Sequence, residues 1–480
     1  MILLSRIIPY IDPKLSDMQA GFRKSRGCRD NIVMLVMAIN KLLEAADCKR
    51  SSAIITYIDF VAAFDSIIHS YLLQSLRKFG VPLKYCRIIR AIYESATVQV
   101  RIQEIGGHRS YSKSIPIRRG VIQGDIPSPV CFLGALDNLL RDHGDSDTGV
   151  QLSPDLTLSH LEYADDAALA NEDVASASVR VTHLDTAAQQ IAGMSLSVPK
   201  TKVQHIRPTP RVPGTTEDDI ANLPPDKAFK FKCIDCGMTY PTNHGLRVHQ
   251  GRWCKKDMAA KKPSRKGTVA DRVITKLKVE KHQSTLGKVL LGNKELENVY
   301  SFVYLGAAIP GDGDPVTPLK HRSDVAWGRF NDMRTTLRST KLPVSLRVRL
   351  FAAVVVSALI YGCEAWLFTD TIARNLNGIN SKMLALITKR TIHEEARDPS
   401  SDTVEQVYRR RWSYLGHVLR LDDDRAVRRY LLELSPQESP FIPGSLLADT
   451  EFDNVVDMAQ VAINRDQWKG SYQPRRDTHR

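Results

Sequence analysis

The alternation of hydrophobic and polar residues along the chain predicts both helices and strands. A short apolar run that begins at Ala53 and ends at Asp59 predicts a buried strand, and residues 156–170 alternate as the two strands of a β-hairpin do. Residues 98–103 and 113–117 alternate in the same way. Apolar residues recur at helical spacing in seven segments, which are residues 32–43, 71–79, 83–95, 128–141, 175–192, 346–366 and 372–388.

Carboxylates lie at the turn of the predicted hairpin and at the end of the predicted strand. Asp165 and Asp166 lie at the centre of the predicted hairpin, and Asp59 ends the predicted strand. Adjacent carboxylates raise each other's pKa, whereas a bound divalent cation keeps them ionised. An isolated Asp-Asp pair is most often a solvated turn. If the two segments are neighbours in one sheet, however, the three carboxylates form the acidic cluster that two-metal phosphoryl transfer requires, with magnesium as a suitable hard cation.

These carboxylates belong to a series of short blocks that follow one another along the chain. The blocks are QAGFRK at 19–24, Asp59 with Phe64-Asp65, GVIQG at 120–124, YADD at 163–166, GMSLSVPKTK at 193–202, FVYLG at 302–306 and YGCEAW at 361–366. In this order and spacing they resemble the reverse transcriptases of non-LTR (LINE-type) retrotransposons. The resemblance extends from Ser5 to Arg420.

The resemblance implies an α+β right-hand polymerase with fingers, palm and thumb. It also implies RNA-directed DNA synthesis, in which two Mg²⁺ ions are bound by Asp59, Asp165 and Asp166. The expected partners are an RNA template, a DNA primer and deoxynucleotide triphosphates. Catalysis of this kind is mainly electrostatic and positional.

Five further residues receive roles in substrate binding from the same resemblance. Phe64 would pack under the incoming sugar and exclude a 2′-hydroxyl, although a plain core position is the simpler alternative. Gln123 and Gly124 would contact template or nucleotide, the alternative for Gly124 being a tight turn. Lys200 would neutralise or protonate the leaving pyrophosphate, and Arg23 would grip template or triphosphate. Basic side chains such as these are also commonly just solvated.

The charge distribution favours a polyanionic partner. The chain has a formal net charge of +14 and a pI of about 9.3. Residues 227–288 contain 16 Lys and Arg against 4 Asp and Glu, so that nearly all of the excess positive charge lies in one segment. This location favours nucleic-acid binding over a uniformly solvated basic surface.

The basic segment contains four residues in metal-ligand spacing, which are Cys233, Cys236, His249 and Cys254. Three thiolates and an imidazole form a closed tetrahedral structural site for one Zn²⁺. Tyr240 and Leu246 occupy the two apolar positions of a small ββα core. The spacing therefore predicts an inserted ββα zinc finger whose flanking lysines contact phosphates with little sequence specificity.

The predicted domain order is 1–50 partial fingers, 51–207 palm, 208–230 linker, 231–254 zinc finger, 255–295 basic linker, 296–420 primer-grip hairpin and helical thumb, and 421–480 polar C-terminal tail. The chain begins inside the first fingers block, which suggests an incomplete element. No signal peptide is evident, and the apolar run Leu350 to Cys363 is too short to span a bilayer. These features predict an intracellular protein, nuclear or cytoplasmic, that does not bind membranes.

Two other functions are compatible with the residues. One is an inactive relic of a retrotransposon that binds only zinc and nucleic acid. The other is a nuclease that uses the same carboxylates. The Phe64 and Gln123-Gly124 positions argue against a nuclease, because cleavage does not require selection of a sugar. The oligomeric state is open.

Overall fold

The computed structural model describes residues 2–47, 53–103, 109–144, 148–207, 231–232, 239–240, 287–391, 402–434 and 455–471. The chain divides into two compact units. One consists of Met1–Pro208 together with Thr285–Arg480, and the other of Thr209–Ser284. In the second unit the described residues form two short antiparallel strands, Phe231–Lys232 and Thr239–Tyr240. The four predicted zinc ligands lie outside the described residues.

A five-stranded sheet forms the centre of the first unit. Its strands, in spatial order, are Glu297–Asn298, Lys202–Ile206, Ala53–Ile58, Asp166–Asn171 and His160–Tyr163. The Ala53–Ile58 strand is buried along its whole length because helices cover both faces of the sheet. Ile54 and Ile58 belong to one hydrophobic core and Ile55 and Tyr57 to the other, as the period of two along a strand requires.

Helices cover both faces of this sheet, and the sequence predicted each of them except Ile2–Ile11 and Ala63–Ser66. They are Ile2–Ile11, Cys28–Asp47, Ala63–Ser66, His69–Lys78, Leu83–Ser95, Ser128–His143 and Val174–Ala187, the last continued by a π-helical turn, Ala188–Ala192. The first core lies among the helices on one side. On the other side Cys28–Asp47 covers the sheet, together with helices from the C-terminal part of the chain.

Paired short strands extend from this centre. The pairs are Thr97–Val98 with Ile115–Pro116, Arg101–Gln103 with Arg109–Tyr111, Val150–Ser153 with Leu156–Leu158, Leu290–Leu291 with Lys294–Glu295, and Ser301–Tyr304 with Ala307–Pro310. The predicted strand at 98–103 is split into Thr97–Val98 and Arg101–Gln103, and the predicted strand at 113–117 is shortened to Ile115–Pro116. Arg109–Tyr111 was not predicted. The last pair is the hairpin that resembles a primer grip.

A separate helical core follows this hairpin. It is formed by Val316–Asp332, Arg334–Leu337, Val344–Phe351, the π-helical Ala352–Val356, Ser357–Leu359, the 3₁₀ turn Cys363–Ala365 and Asp370–Thr388. The prediction of one helix over 346–366 is therefore right in type but too long. The α-helix ends at Leu359, and Gly362 adopts a left-handed conformation with φ of +72°.

Where residues 421–480 are described, the prediction of an irregular tail is wrong. After the helix Thr403–Leu419, further helices form at Ala426–Leu434, Val455–Ile463 and Arg465–Gly470. The indole of Trp468 is 2% exposed and stacks on that of Trp412, with ring centroids 4.2 Å apart. These helices are short and interrupted by polar stretches, so no long apolar period marks them in the sequence. Within the described ranges, no helix combines the length and the apolar character needed to cross a membrane.

Asp137 is a buried carboxyl that links the helix Ser128–His143 to the N-terminal segment. Its carboxylate accepts a hydrogen bond from the backbone N–H of Ser16 at 2.7 Å and pairs with Arg141 at 2.5 Å. Burial, followed by repulsion from Glu162, raises the pKa of Asp137 to about 6. The native carboxyl therefore keeps its proton at a pH where the carboxyl of the unfolded chain has lost it.

This raised pKa predicts a pH-dependent difference in stability. Between about pH 4 and pH 6 the native state binds more protons than the unfolded state, so the contribution of Asp137 to the free energy of unfolding falls as the pH rises. We expect the free energy of unfolding of Asp137→Asn to fall by about 1–3 kcal/mol less than that of the parent over this pH range. Urea unfolding of both proteins at several pH values measures it. Parallel stability curves for parent and variant would contradict the assignment.

Candidate active site

The sheet brings the three candidate carboxylates to one edge. The strands Ala53–Ile58 and Asp166–Asn171 are antiparallel neighbours, with Ile58 paired to Ala167. Asp59 directly follows Ile58 and Asp166 directly precedes Ala167, so both carboxylates lie at the same end of this strand pair. Asp165 precedes Asp166 in the turn of the hairpin, whose last pair is Tyr163 with Asp166. The predicted turn is therefore confirmed, and the two predicted β segments are direct neighbours.

The electrostatics of this edge show that the carboxylates interact. Burial raises the pKa of Asp165, and the charge of Asp59 raises it further. Burial also raises the pKa of Asp166, and both other carboxylates add to this effect. Lys200 acts in the opposite direction on both groups. The cluster therefore has an excess of negative charge that a cation would relieve.

Lys200 reaches the cluster from the segment before the strand Lys202–Ile206. Its Nζ lies 3.2 Å from Oδ2 of Asp59, although this oxygen is buried and accepts no hydrogen bond of good geometry. The backbone N–H of Ser197 donates to the carbonyl of Asp59 at 2.7 Å, and the carbonyl of Ser197 accepts from the N–H groups of Lys200 and Thr201. Ser197 thus closes the turn that carries Lys200. The side chain of Lys200 is 69% exposed, so its ammonium can face a substrate.

The fit of a divalent cation depends on these same oxygens. Among the described residues, no group of three or more His, Cys, Asp and Glu is arranged to hold a metal ion. The donor set nevertheless suits a hard cation, because it consists of carboxylate oxygens and includes the buried Oδ2 of Asp59 that accepts no hydrogen bond. A cation there would compete with Lys200 for Asp59.

Phe64 lies close to this edge, on the short helix Ala63–Ser66. Its ring stacks on that of Phe132, with centroids 4.2 Å apart, and its carbonyl accepts a hydrogen bond from the N–H of Val121 at 2.7 Å. The side chain is only partly buried. One side of the Phe64 ring therefore packs in the core and the other is accessible. The residue is compatible with a plain core position and with packing under an incoming sugar.

The loop of residues 120–124 contacts Asp65, the neighbour of Phe64, through Gly120 and Gln123. Gln123 is exposed, and its Nε2 donates to Oδ1 of Asp65 at 3.1 Å. Gly120 has φ of +81°, and a Cβ there would lie 2.7 Å from Cα of Asp65. Gly124 has φ of +85°, but a Cβ there would meet nothing within 4 Å. In this loop it is therefore Gly120 that lies too close to the backbone of Asp65 to carry a side chain, and the sequence analysis gave Gly120 no role of its own. Glycine at position 124 is favoured instead by its positive φ.

Arg23 is a structural residue rather than a substrate ligand in this structure. Its guanidinium pairs with the carboxylate of Asp12 at 2.8 Å and donates to the backbone carbonyls of Asp12, Ser16 and Gln19. The side chain is 5% exposed, so its donors face the protein. The expectation that Arg23 grips template or triphosphate is corrected accordingly. Sequence could not show this, because these partners belong to the loop that Arg23 itself closes.

The hairpin Ser301–Tyr304 and Ala307–Pro310 packs against the sheet close to the carboxylates. Phe302 stacks on Tyr57 with ring centroids 4.0 Å apart. Arg322 donates to the carbonyl of Gly306 at 3.0 Å and lies over the ring of Tyr361. Tyr361 in turn donates to the carbonyl of Leu305 at 3.0 Å. Side chains of the following helices therefore hold the tip of this hairpin.

Comparison with known proteins gives a consistent result for the first half of the chain. Residues 1–235 match the family model described as reverse transcriptase (RNA-dependent DNA polymerase). A transposon-derived protein of Caenorhabditis elegans is 29% identical over 142 residues, which are 27% of this chain and 50% of that protein. The retrovirus-related Pol polyprotein from a type-2 retrotransposable element of Drosophila melanogaster is 30% identical over 170 residues, 35% of this chain and 15% of the polyprotein.

A similar relative comes from a second insect. The Pol polyprotein from a type-1 retrotransposable element of Popillia japonica is 30% identical over 143 residues, which are 30% of this chain and 22% of the polyprotein. The alignments thus span half or less of the length of these relatives. Among solved structures, telomerase from Candida albicans in complex with a fragment of telomeric RNA aligns with 85% of this chain and 57% of its own. The TM-score is 0.34 and the sequence identity 10%.

Proposed function

We propose, because residues 1–235 match the reverse transcriptase family, that this chain is the RNA-directed DNA polymerase of a retrotransposon. The observation that carries the proposal is that Asp59 and Asp166 flank the last residue pair of two neighbouring strands, with Asp165 in the adjoining hairpin turn. The charge of Asp59 raises the pKa of both Asp165 and Asp166, and such a cluster suits the binding of divalent cations and a polyphosphate.

In this proposal Asp59, Asp165 and Asp166 hold two Mg²⁺ ions. When bound, the ions would supply Lewis-acid stabilisation of the attacking and leaving oxygens. The primer 3′-hydroxyl releases its proton to water as its oxygen forms a bond to the α-phosphorus of a deoxynucleotide triphosphate, and the bond between that phosphorus and the oxygen bridging to the β-phosphate breaks to release pyrophosphate. Lys200 neutralises the charge that develops on the pyrophosphate, because its exposed ammonium already lies beside Asp59.

Primer extension tests the proposal. We expect the zinc-loaded parent protein to extend a DNA primer on an RNA template in the presence of Mg²⁺ and deoxynucleotides. Extension should stop when the Mg²⁺ is chelated and resume when it is restored. A soluble, folded parent that binds RNA and does not extend the primer would refute the polymerase. It would favour the alternative, in which the chain acts only by binding nucleic acid.

Phe64 is proposed to select deoxynucleotides, because its ring is fixed by Phe132 and partly accessible beside Gln123. We expect Phe64→Val to raise the use of ribonucleotides relative to deoxynucleotides roughly 10-fold or more, because the smaller side chain makes room for a 2′-hydroxyl. The measurement is incorporation of each nucleotide by parent and variant. Phe60→Val is the matched control, since Phe60 is 2% exposed and contacts only the core. An equal change in both variants would exclude selection by Phe64.

We also propose that residues 231–254 form a zinc finger that binds nucleic acid without reading its sequence. The spacing of Cys233, Cys236, His249 and Cys254 supports a structural Zn²⁺ site. In a DNA-reading finger the positions that face bases would here be Thr242, Gly245 and Val248, none of which has a bidentate donor. The lysines that follow Cys254 suit phosphate contacts instead.

Loss of zinc and rising salt are therefore expected to weaken binding. Cys254→Ser should lose one equivalent of zinc, because the site loses a thiolate, whereas Cys28→Ser should keep it. Affinity of the parent for RNA should fall roughly 10- to 1,000-fold between 50 and 200 mM salt, because phosphate contacts release counterions. Zinc content and a binding titration in rising salt measure the two effects. A salt-independent affinity, or full zinc in Cys254→Ser, would contradict the proposal.

A further inference from the structure

The turn that carries Asp165 depends on a residue with an unusual backbone conformation. Ala164 has φ of +55°, in the left-handed region that residues with a side chain seldom adopt. It immediately precedes Asp165 and is buried. A displacement of this residue would move both carboxylates of the hairpin. The surroundings of Ala164 therefore decide where Asp165 and Asp166 lie.

The side chain of Gln19 binds both sides of Ala164. Its Oε1 accepts a hydrogen bond from the N–H of Ala164 at 3.0 Å, and its Nε2 lies 3.5 Å from the carbonyl of the same residue. Oε1 also accepts from the N–H of Gly21 at 2.9 Å, and Nε2 donates to the carboxylate of Glu162 at 2.9 Å. Gln19 is fully buried, so no water competes for these bonds.

The backbone around Gln19 fixes the position of this amide. Gln19 and Glu162 form a parallel bridge, in which the N–H of Ala20 donates to the carbonyl of Glu162 at 2.9 Å and the N–H of Glu162 donates to the carbonyl of Met18 at 3.1 Å. The side chain of Asn31 donates to the same Glu162 carbonyl at 2.7 Å. The segment that contains Gln19 is therefore held beside the hairpin as an additional strand would be.

Gly21 completes the contact by leaving room for the turn. A Cβ at this position would lie 2.5 Å from the backbone nitrogen of Ala164 and 3.1 Å from its Cα. Neither atom belongs to a flexible side chain, so an alanine here would have to displace the turn itself. Gly21 and the amide of Gln19 therefore both contact the backbone of Ala164, the first by leaving room for it and the second by hydrogen bonding to it.

We infer that Gln19 and Gly21 are positioning residues, which hold the Ala164–Asp165 turn in the geometry that the carboxylates need to bind divalent cations. This inference rests on the proposed polymerase function. Neither residue can contact substrate, because both are buried. Their role is to keep Asp165 and Asp166 beside Asp59 despite the repulsion among the three.

Two pairs of variants in the full-length, zinc-loaded protein test this inference. Gln19→Met keeps the length of the side chain and removes all of its hydrogen bonds. Its control is Gln204→Met, because Gln204 is another fully buried glutamine whose amide bonds to Tyr57, Tyr300 and Ile309 instead. Gly21→Ala adds one methyl group, and its control is Gly27→Ala, since a Cβ at Gly27 meets nothing within 4 Å.

Two measurements distinguish positioning from general destabilisation. In hydrogen exchange without added Mg²⁺, we expect the amides of residues 163–166 to exchange at least about 10-fold faster in Gln19→Met and Gly21→Ala, and at the parent rate in the two controls. In primer extension, we expect the Mg²⁺ concentration for half-maximal rate to rise roughly 10-fold or more in the first pair only.

The possible outcomes separate the inference from the function on which it rests. Unchanged exchange at residues 163–166 in both Gln19→Met and Gly21→Ala would overturn the inference, and so would equal changes in the two control variants. If Gln19→Met does not fold, Gly21→Ala still gives both readouts. Failure of the parent to extend a primer would refute the polymerase, whereas hydrogen exchange would still report whether Gln19 holds the turn.

Discussion

Asp59→Asn is expected to abolish primer extension, with a loss of roughly 1,000-fold or more in rate. The substitution keeps the shape of the side chain and removes its charge. It therefore removes one anionic ligand of the proposed Mg²⁺ ions and the partner of Lys200 in the 3.2 Å ion pair. With that charge absent, the pKa values of Asp165 and Asp166 should fall towards their ordinary range, because Asp59 raises both. The two remaining carboxylates are insufficient to hold the ions.

Asp173→Asn is the matched control for this prediction. Asp173 follows the same hairpin and caps the helix Val174–Ala187 through a hydrogen bond from the N–H of Ser176 at 2.8 Å. Asparagine is an equally good capping residue, so stability and extension should stay close to those of the parent. Extension is measured on the same RNA template at saturating Mg²⁺. Full activity of Asp59→Asn would rule out its proposed role as a metal ligand.

The second large effect is expected on stability. Trp468→Ala should lower the free energy of unfolding by about 3–5 kcal/mol, because it removes a buried indole and leaves a cavity beside Trp412. Each indole N–H donates to the backbone carbonyl of the other tryptophan at 3.0 Å, so the substitution also removes the hydrogen bond from the Trp468 indole to the carbonyl of Trp412. A Cβ at Gly416 would lie 2.1 Å from Nε1 of Trp468, which shows how closely the indole packs.

Ile463→Ala provides the comparison, because Ile463 lies in the same C-terminal segment and is 75% exposed. Its replacement should change the free energy of unfolding by no more than about 0.5 kcal/mol. Urea unfolding of both variants measures the difference. Equal and small effects would mean that the segment around Trp468 is dispensable, as the prediction of a polar tail implied.

The expected effect of Trp468 extends to the sheet through one chain of contacts. Trp412 lies on the helix Thr403–Leu419, and Tyr414 on the same helix donates to the carboxylate of Asp30 at 2.9 Å. Asp30 belongs to the helix Cys28–Asp47, which covers one face of the sheet. The C-terminal helices therefore support the element that packs behind the carboxylates. Loss of stability at Trp468 is accordingly a loss for the first unit and not for a separate tail.

Sequence patterns were most informative where one segment decides its own structure. The strand ending at Asp59, the hairpin around Asp165 and the helix Leu83–Ser95 all follow from local periodicity and turn residues. The order of the short blocks likewise indicated a reverse transcriptase, which the match of residues 1–235 supports. The zinc site remains a prediction, since its ligands lie outside the described residues.

Side-chain roles that depend on distant partners could not be predicted in this way. Gln19 and Arg23 occur in one block, yet Arg23 closes its own loop while Gln19 contacts the hairpin 143 residues farther along. Both are polar residues in a polar segment, so neither periodicity nor composition distinguishes them. The same applies to Gly120, whose requirement comes from the backbone of Asp65.

The sequence by itself predicted most of the elements and the candidate carboxylates from residue type and local spacing, and the resemblance of its short blocks to a known family indicated the proposed chemistry. Only the tertiary structure decided which strand lies beside Asp59, what holds the strained Ala164 and where the C-terminal helices pack. The physical reason is that hydrogen bonds and packing in a buried site join residues far apart in the chain, and their geometry exists only once the sheet has formed.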